Sequence, residues 1–398
     1  MTRPAHIIDS ATRNVPVYIV TEILASLIFH VPVWVAFELQ YISLGQLAVI
    51  EAIMQGAQLL SELPTGAIAD LLGKKISVII GRGIGIVGLV LYASSHTFMG
   101  FVIYAIIAGF GDSFVSGAKD ALMYDSLKES GKESEYAKLS ARASLYFQIG
   151  LALAIVLGGY LSLYGYVRAI YATITACTIQ FVLSFFFIEP KIDTVKFSLL
   201  SYIKQIRNGW EEITKTAYIR EISAFYIAVG GITWAAMMIF NTSLLTTIGY
   251  TTFQIGIILG IIRIVNGTVL FRALHLDTVV TKRRAYLFFP ILMIISYLPG
   301  IFLSKELAVI AVAGSIFASS ARWIILGAYV NEHYDSKNRA TALSMLSMII
   351  AFVVVIFALL TGPITTYLGG VRGVYTILGI CSLSIVLPLG LRIRRRYH

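Results

Sequence analysis

Charge is what this chain lacks most. Of its 398 residues only 13% are Asp, Glu, Lys or Arg, whereas 58% are hydrophobic and the mean hydropathy is +0.82. So little polar surface cannot coat a water-soluble particle, which leaves a chain that crosses a bilayer many times. Cysteine is as sparse: Cys177 and Cys381 both fall in apolar runs, excluding a disulfide framework and a cysteine-based zinc site. The six histidines, His6, His30, His96, His275, His333 and His398, are scattered over separate segments and never reach ligand spacing. No glycine-rich nucleotide-binding loop occurs. An enzymatic centre, a metal and a cofactor are therefore not expected.

What is present is long apolar runs. Windows of about twenty residues give twelve expected spans: 17–38, 44–69, 76–95, 98–124, 139–163, 166–188, 219–247, 253–276, 285–303, 307–331, 340–367 and 371–391. The first sixteen residues are polar and the run after them is full length, so no cleavable leader is expected. The net charge of +10 could suit nucleic acid, yet its placement argues for topology. Only Arg168, Lys305 and Arg372 of the 31 basic residues fall at connections on one side. The other side holds Lys74, Lys75, Lys128, Lys132, Lys282, Arg283, Arg284 and the tail arginines Arg392, Arg394, Arg395 and Arg396. By the positive-inside rule both termini are cytoplasmic, which suits a multi-pass protein of the plasma (inner) membrane.

The longest connection divides the spans six and six: a bundle over 1–188, a linker over 189–218 and a second bundle over 219–398. In the linker Leu199, Leu200, Ile203, Ile206, Trp210 and Ile213 recur near helical spacing among Lys204, Arg207 and Lys215, as an interfacial helix on an anionic leaflet requires. The halves echo each other. Asp112, Ser116 and Lys119 fall at i, i+4 and i+7 in the fourth span, and Ser315, Ser319 and Arg322 do so in the tenth. Arg142, Ala143 and Ser144 open the fifth span as Arg339, Ala340 and Thr341 open the eleventh. Weak symmetry between halves is characteristic of transporters built from repeated bundles.

One turn stands out, between the second and third spans. Glu62 and Gly66 approach it one helical turn apart, Asp70 follows one turn later, and Gly73, Lys74 and Lys75 make the corner, with Arg82 beyond. The eighth span ends on a degenerate copy that keeps acid then base at Asp277, Lys282 and Arg283 and loses both glycines. Gly66, Asp70, Gly73, Lys74 and Lys75 fit, position by position, the signature loop of the major facilitator superfamily, which the whole chain resembles in span number and central linker. It is most similar to a bacterial branch with the strings ELPTGAIAD (Glu62 to Asp70) and SGAKDALMYDSLK (Ser116 to Lys128). That resemblance implies an all-α fold of twelve transmembrane helices in two pseudo-symmetric six-helix bundles. It also implies a monomeric secondary active transporter that moves a small molecule by alternating access, with the loop as a cytoplasmic latch. Two departures separate the chain from proton-coupled drug exporters. Ala105 stands where they carry an arginine, and the fifth span keeps Gly150, Gly158 and Gly159 but has Ala154 and Ile155 in place of Gly-Pro.

Charges inside spans are costly, a few kcal/mol each on the order of insertion scales, so each is a candidate contact for substrate or ion. Asp112 either faces the cavity to bind a proton or forms a structural pair, with Lys119 or with a neighbouring helix. Lys119 and Asp120 serve either coupling or an interhelical lock. Glu22 and His30, eight residues apart, would sit about 80° apart on one helix and could load and unload protons. Tyr226, Trp234 and Asn241 repeat every seven or eight residues as a stripe able to line a pocket or to pack. Arg263 with Asn266, and Arg322 beside Trp323, either give an anionic substrate group its partner or are neutralised by a carboxylate of another helix. The leading expectation is proton-coupled transport, with efflux of drug-like or amphipathic compounds; facilitated uptake of a metabolite or lipid translocation is the alternative. A membrane-embedded enzyme or a receptor has nothing in the sequence to carry it.

Overall fold

No water reaches the bilayer core to satisfy backbone amides, so apolar runs must fold as helices. The computed structural model describes residues 10–191, 199–275, 282–335 and 338–397, and every regular element among them is helical. The side chains of Asp70, His275 and Lys282 lie outside the description. The helices are α1 (Ser10–Ala25), α2 (Trp34–Glu38), α3 (Leu44–Leu72), α4 (Lys74–Ser94), α5 (Phe98–Glu129), α6 (Tyr136–Leu161), α7 (Tyr166–Ser184), α8 (Leu199–Thr214) and α9 (Ala217–Ala235). They continue as α10 (Asn241–Ile248), α11 (Thr252–His275), α12 (Lys282–Tyr297), α13 (Lys305–Ala321), α14 (Gly327–His333), α15 (Arg339–Tyr367), α16 (Val371–Cys381) and α17 (Leu387–Tyr397). Wider π-helical segments, Ala236–Phe240, Arg322–Leu326 and Ser382–Val386, join α9 to α10, α13 to α14 and α16 to α17. Among the described residues nine stretches are long and apolar enough to cross a membrane. The other three expected spans fall at α1 with α2, at α3 (29 residues) and at α12 (16 residues).

The first of these departs from the single helix expected over 17–38. α1 stops at Ala25, turns follow, and α2 resumes only at Trp34. Pro32 explains the break, since it has no N–H to donate and pushes Val31 away from helical torsions. Ser26 caps the end by donating its hydroxyl to the Ile23 carbonyl at 2.6 Å. The expected 80° relation between Glu22 and His30 on one helix therefore does not hold. The broken segment beds into glycines of α6: a Cβ on Gly150 would stand 2.0 Å from Ser26 Oγ, and one on Gly158 only 1.7 Å from the Phe29 carbonyl oxygen.

The chain groups into two compact units, Met1–Trp34 with Ile53–Leu199, and Val35–Ala52 with Leu200–His398. In the first, α4 packs along α5 where Gly81 meets Gly111, a Cβ on Gly81 coming within 2.7 Å of the Gly111 carbonyl oxygen. Asn14, fully buried, ties α1 to two other segments. Its amide donates to Ser126 Oγ and the Ile188 carbonyl at 2.7 Å each, and accepts the Ile188 N–H at 2.8 Å. In the second unit α9 lies along α15, and Glu221 of α9 pairs with Arg392 (2.9 Å) and Arg396 (3.0 Å) of α17.

Within 189–218 the helix α8 forms over Leu199–Thr214, and its two faces differ. Ile203 and Trp210 are exposed, whereas Ile213 is buried. Beside Ile213 the buried Glu212 accepts from Lys215 Nζ at 2.6 Å, from the Asp335 N–H at 2.9 Å and from Asn338 Nδ2 at 3.2 Å, docking α8 on the turn before α15. Burial alone would push the Glu212 carboxyl up; those hydrogen bonds and the Lys215 charge outweigh it and hold the group below the usual carboxylate range. Stability from a depressed carboxyl is present above its ordinary value, near pH 4.3, and is lost as pH falls through the folded value. Melting curves taken from about pH 7 to about pH 3 should therefore fall more steeply for the native chain than for Glu212→Gln. The variant should start lower, by about 2 kcal/mol for hydrogen bonds to a charged group. Parallel curves would remove Glu212 from the acid response.

Candidate functional site

Three of the expected residues, far apart in sequence, meet between α1 and α5. Lys119 Nζ pairs with Glu22 Oε1 at 2.8 Å and lies 4.0 Å from Asp120 Oδ1. The Glu22 and Lys119 side chains are 11% and 21% exposed, while Asp120 is 52% exposed. Tyr18, one turn before Glu22, completes the group: its hydroxyl donates to Asp120 at 3.1 Å and its ring lies 5.8 Å from the Lys119 ammonium. Sequence reasoning passed over Tyr18, although reading α1 at i, i+4 from Glu22 would have found it. One ammonium shared by two carboxylates of unequal exposure can keep a partner when either acid takes a proton.

Asp112 sits on the same face of α5 as Ser116 and Lys119, exposed, and no ion pair joins it to Lys119. His30 is half-buried, with Nδ1 3.1 Å from Thr173 Oγ1, the ordinary hydrogen-bonded state of an isolated histidine. Arg82 is buried between α4 and α7. It donates to the Gln180 carbonyl at 3.3 Å and to the Ser184 hydroxyl, and lies 5.9 Å from the Phe187 ring.

At the turn between α3 and α4, Gly73 takes φ +97°, a torsion that favours glycine. It also makes room: a Cβ there would meet the Glu189 carboxyl carbon at 3.0 Å. Glu189 accepts the N–H groups of Lys74 (2.8 Å) and Lys75 (2.7 Å), placing an anion on the exposed amides that open α4. The Lys74 ammonium contacts the Asp125 carboxylate at the far end of α5. Gly66 is half-buried, and Glu62 is exposed, its backbone carbonyl accepting from the Thr65 hydroxyl at 3.3 Å. Among the described residues the partners of this turn are thus Glu189 and Asp125. Neither has a local sequence signal, being 115 and 51 residues from Lys74. The Asp70 side chain and Asp277 lie outside the described residues.

In the second unit the stripe on α9 and α10 has three separate environments. Tyr226 is buried under Arg322, whose guanidinium carbon lies 4.9 Å from its ring centre and 4.5 Å from that of Trp323. Trp234 meets Trp323 edge to face at 6.4 Å. Asn241 is buried, its Oδ1 accepting from Tyr375 (2.6 Å) and Ser315 (3.0 Å), and Ser315 in turn accepts from Tyr297 (2.9 Å). Arg263 and Asn266 lie three residues apart on α11, each with a buried nitrogen lacking an acceptor among the described residues.

Comparison with known proteins agrees with this architecture. A sequence search of curated proteins returned no match. Crystal structures of the nucleoside transporter NupG match 98% of this chain and 100% of theirs at 14% identity, with TM-scores of 0.76 for a point mutant and 0.74 for the other form. A bacterial homolog of the human lysosomal transporter Spinster, crystallised inward-facing and unoccupied, covers 97% of this chain and 96% of its own at TM-score 0.69 and 13% identity. At such identities the likeness concerns the fold. The family model for the Major Facilitator Superfamily matches residues 14–304, well over half the chain, and its members are membrane transporters rather than enzymes. With the all-helical architecture and the glycine-cornered turn at Gly73, that match places the chain in the Major Facilitator Superfamily.

Proposed function

We propose that this transporter is a proton-coupled secondary carrier working by alternating access, and that Glu22, Lys119 and Asp120 form its coupling centre. The observation that carries the reading is the Glu22–Lys119 pair inside an apolar bundle, with Asp120 within 4.0 Å as a second partner for the ammonium. Protonation of Glu22 releases Lys119 to Asp120, so one proton changes the tie between α1 and α5. Asp112, about two helical turns before Lys119 on the same face of α5, is a second loading site. The cargo in this reading is a small amphipathic molecule that lies against Trp234 and Trp323, exchanged for protons and exported. The turn held by Glu189 and Asp125 acts as the cytoplasmic latch, and 1–188 and 219–398 are the two moving bundles of a monomer in the plasma (inner) membrane, termini inside.

Proteoliposomes enclosing a pH-sensitive dye, acidic inside, test the reading when amphipathic compounds are added outside. Accumulation of a transported compound should rise at least tenfold with the gradient and collapse on adding a protonophore, and Glu22→Gln should abolish the dye response. Accumulation that ignores the gradient would sink the coupling, and competition by lipid headgroups would redirect the reading to lipid translocation.

A further inference from the structure

The two halves hold corresponding cations in unlike ways. Lys119 and Arg322 close the matching i, i+4, i+7 patterns of α5 and of α13 with its π segment. Each lies over a tyrosine, Tyr18 of α1 and Tyr226 of α9, the first apolar helix after the linker. One turn beyond that tyrosine, at i+4, stands Glu22 in the first unit and Gly230 in the second. Glu22 neutralises Lys119 at 2.8 Å. At Gly230 there is only backbone, and a Cβ there would come within 3.2 Å of Arg322 Nη1, so the missing side chain is the one that would face the guanidinium.

Among the described residues Arg322 is a buried cation without a counter-charge. It has 0% exposure, and among the described residues its three nitrogens meet no carboxylate and no well-aligned acceptor, the neutral Tyr226 hydroxyl being the one oxygen that interacts with them. The rings of Tyr226 and Trp323 accommodate the faces of the guanidinium, but its N–H bonds lie in the plane and want oxygen. Of the other orphan atoms in this unit Arg263 Nε, Asn266 Nδ2 and Asn241 Nδ2 are donors, while Glu221 Oε2 on α9 and Asn331 Oδ1 on α14 are acceptors. The residue also opens a π-helical segment, a distortion found often at functional sites.

Resting on the reading that this protein carries a small molecule, we propose that Arg322 receives an oxyanion of the cargo, a carboxylate or phosphate group, which stands in for the acid that Gly230 omits. A planar fork of N–H donors suits two oxygens of one anion. Access is through Trp323, whose ring covers the guanidinium and is itself 51% exposed.

Binding to the purified full chain in detergent tests this without any gradient, so its result is independent of proton coupling. Benzoate and phenyl phosphate are compared with the neutral benzamide by thermal shift, since a ligand of the folded state raises the melting temperature. At least one of the two anions should stabilise the protein and benzamide should not. Arg322→Gln should weaken that binding at least tenfold, with Arg322→Lys between. Gly230→Glu should weaken it as much by supplying the acid internally; the atom nearest the new Cβ is the tip of Ile350, at 2.5 Å, which can swing aside. Equal shifts with benzamide, no shift with either anion, or an unchanged anion response in both Arg322→Gln and Gly230→Glu would overturn the proposal. So would stabilisation by phosphatidylglycerol bicelles but by neither soluble anion, which would assign the cation to a lipid headgroup.

Discussion

Gly158→Leu should leave almost no monodisperse protein in detergent. A Cβ at this position meets the Phe29 carbonyl oxygen at 1.7 Å, a backbone atom that no rotamer can move. Overpacking of a close-packed interior costs about 1–3 kcal/mol where side chains can adjust, and this contact lies beyond that range because the whole segment between α1 and α2 would have to lift. Gly150→Ala should be milder, since the obstacle there is the Ser26 hydroxyl. Gly267→Ala is the control, with open space around its Cβ. Size-exclusion profiles of the three variants decide the matter: a Gly158→Leu profile like that of Gly267→Ala would mean that α6 and the broken segment do not touch in this way.

Lys119→Met should have the largest effect on transport. It strands Glu22 in an apolar setting, and breaking a buried pair by removing one partner costs about 3–5 kcal/mol, lowered here by the residual exposure of both side chains. The melting temperature should drop by several degrees, and gradient-driven accumulation should fall by about a hundredfold or more, equivalent to about 3 kcal/mol. The double variant Glu22→Gln with Lys119→Met should recover most of the stability, because the only carboxylate it leaves without the ammonium is the exposed Asp120, and none of the transport. A double variant as unstable as Lys119→Met alone would dissolve the pair. One that transports normally would remove it from the coupling route.

Hydropathy alone carried the reading as far as an all-helical membrane protein, because the bilayer leaves the backbone so few choices. It passed over the break at residues 26–33, where Pro32 was visible but apolar continuity across Leu27, Ile28 and Val31 outweighed it. Repetition between halves located Lys119 and Arg322, since a cation in an apolar helix is conspicuous wherever it occurs. What it could not supply was partners: Glu189 reaches the Lys74 N–H across 115 residues, and Glu22 reaches Lys119 across 97, distances over which no spacing rule operates. The Tyr226, Trp234 and Asn241 stripe shows the opposite failure. Helical spacing put the three on a common line, yet each meets a different neighbour, because the π segment Ala236–Phe240 shifts the face between Trp234 and Asn241.

The hydrogen-bond chain around Asn241 bears on how protons can pass. Tyr297 donates to Ser315, Ser315 donates to Asn241, and Tyr375 donates to the same oxygen. An amide oxygen only accepts, and the amide nitrogen of Asn241 meets no acceptor among the described residues. As a proton wire this chain has two inlets and no outlet, so a proton arriving at either tyrosine has nowhere to be handed on. Among the described residues a proton route along these hydroxyls ends at an uncharged amide, so the coupling proposed for Glu22 would not draw on this chain.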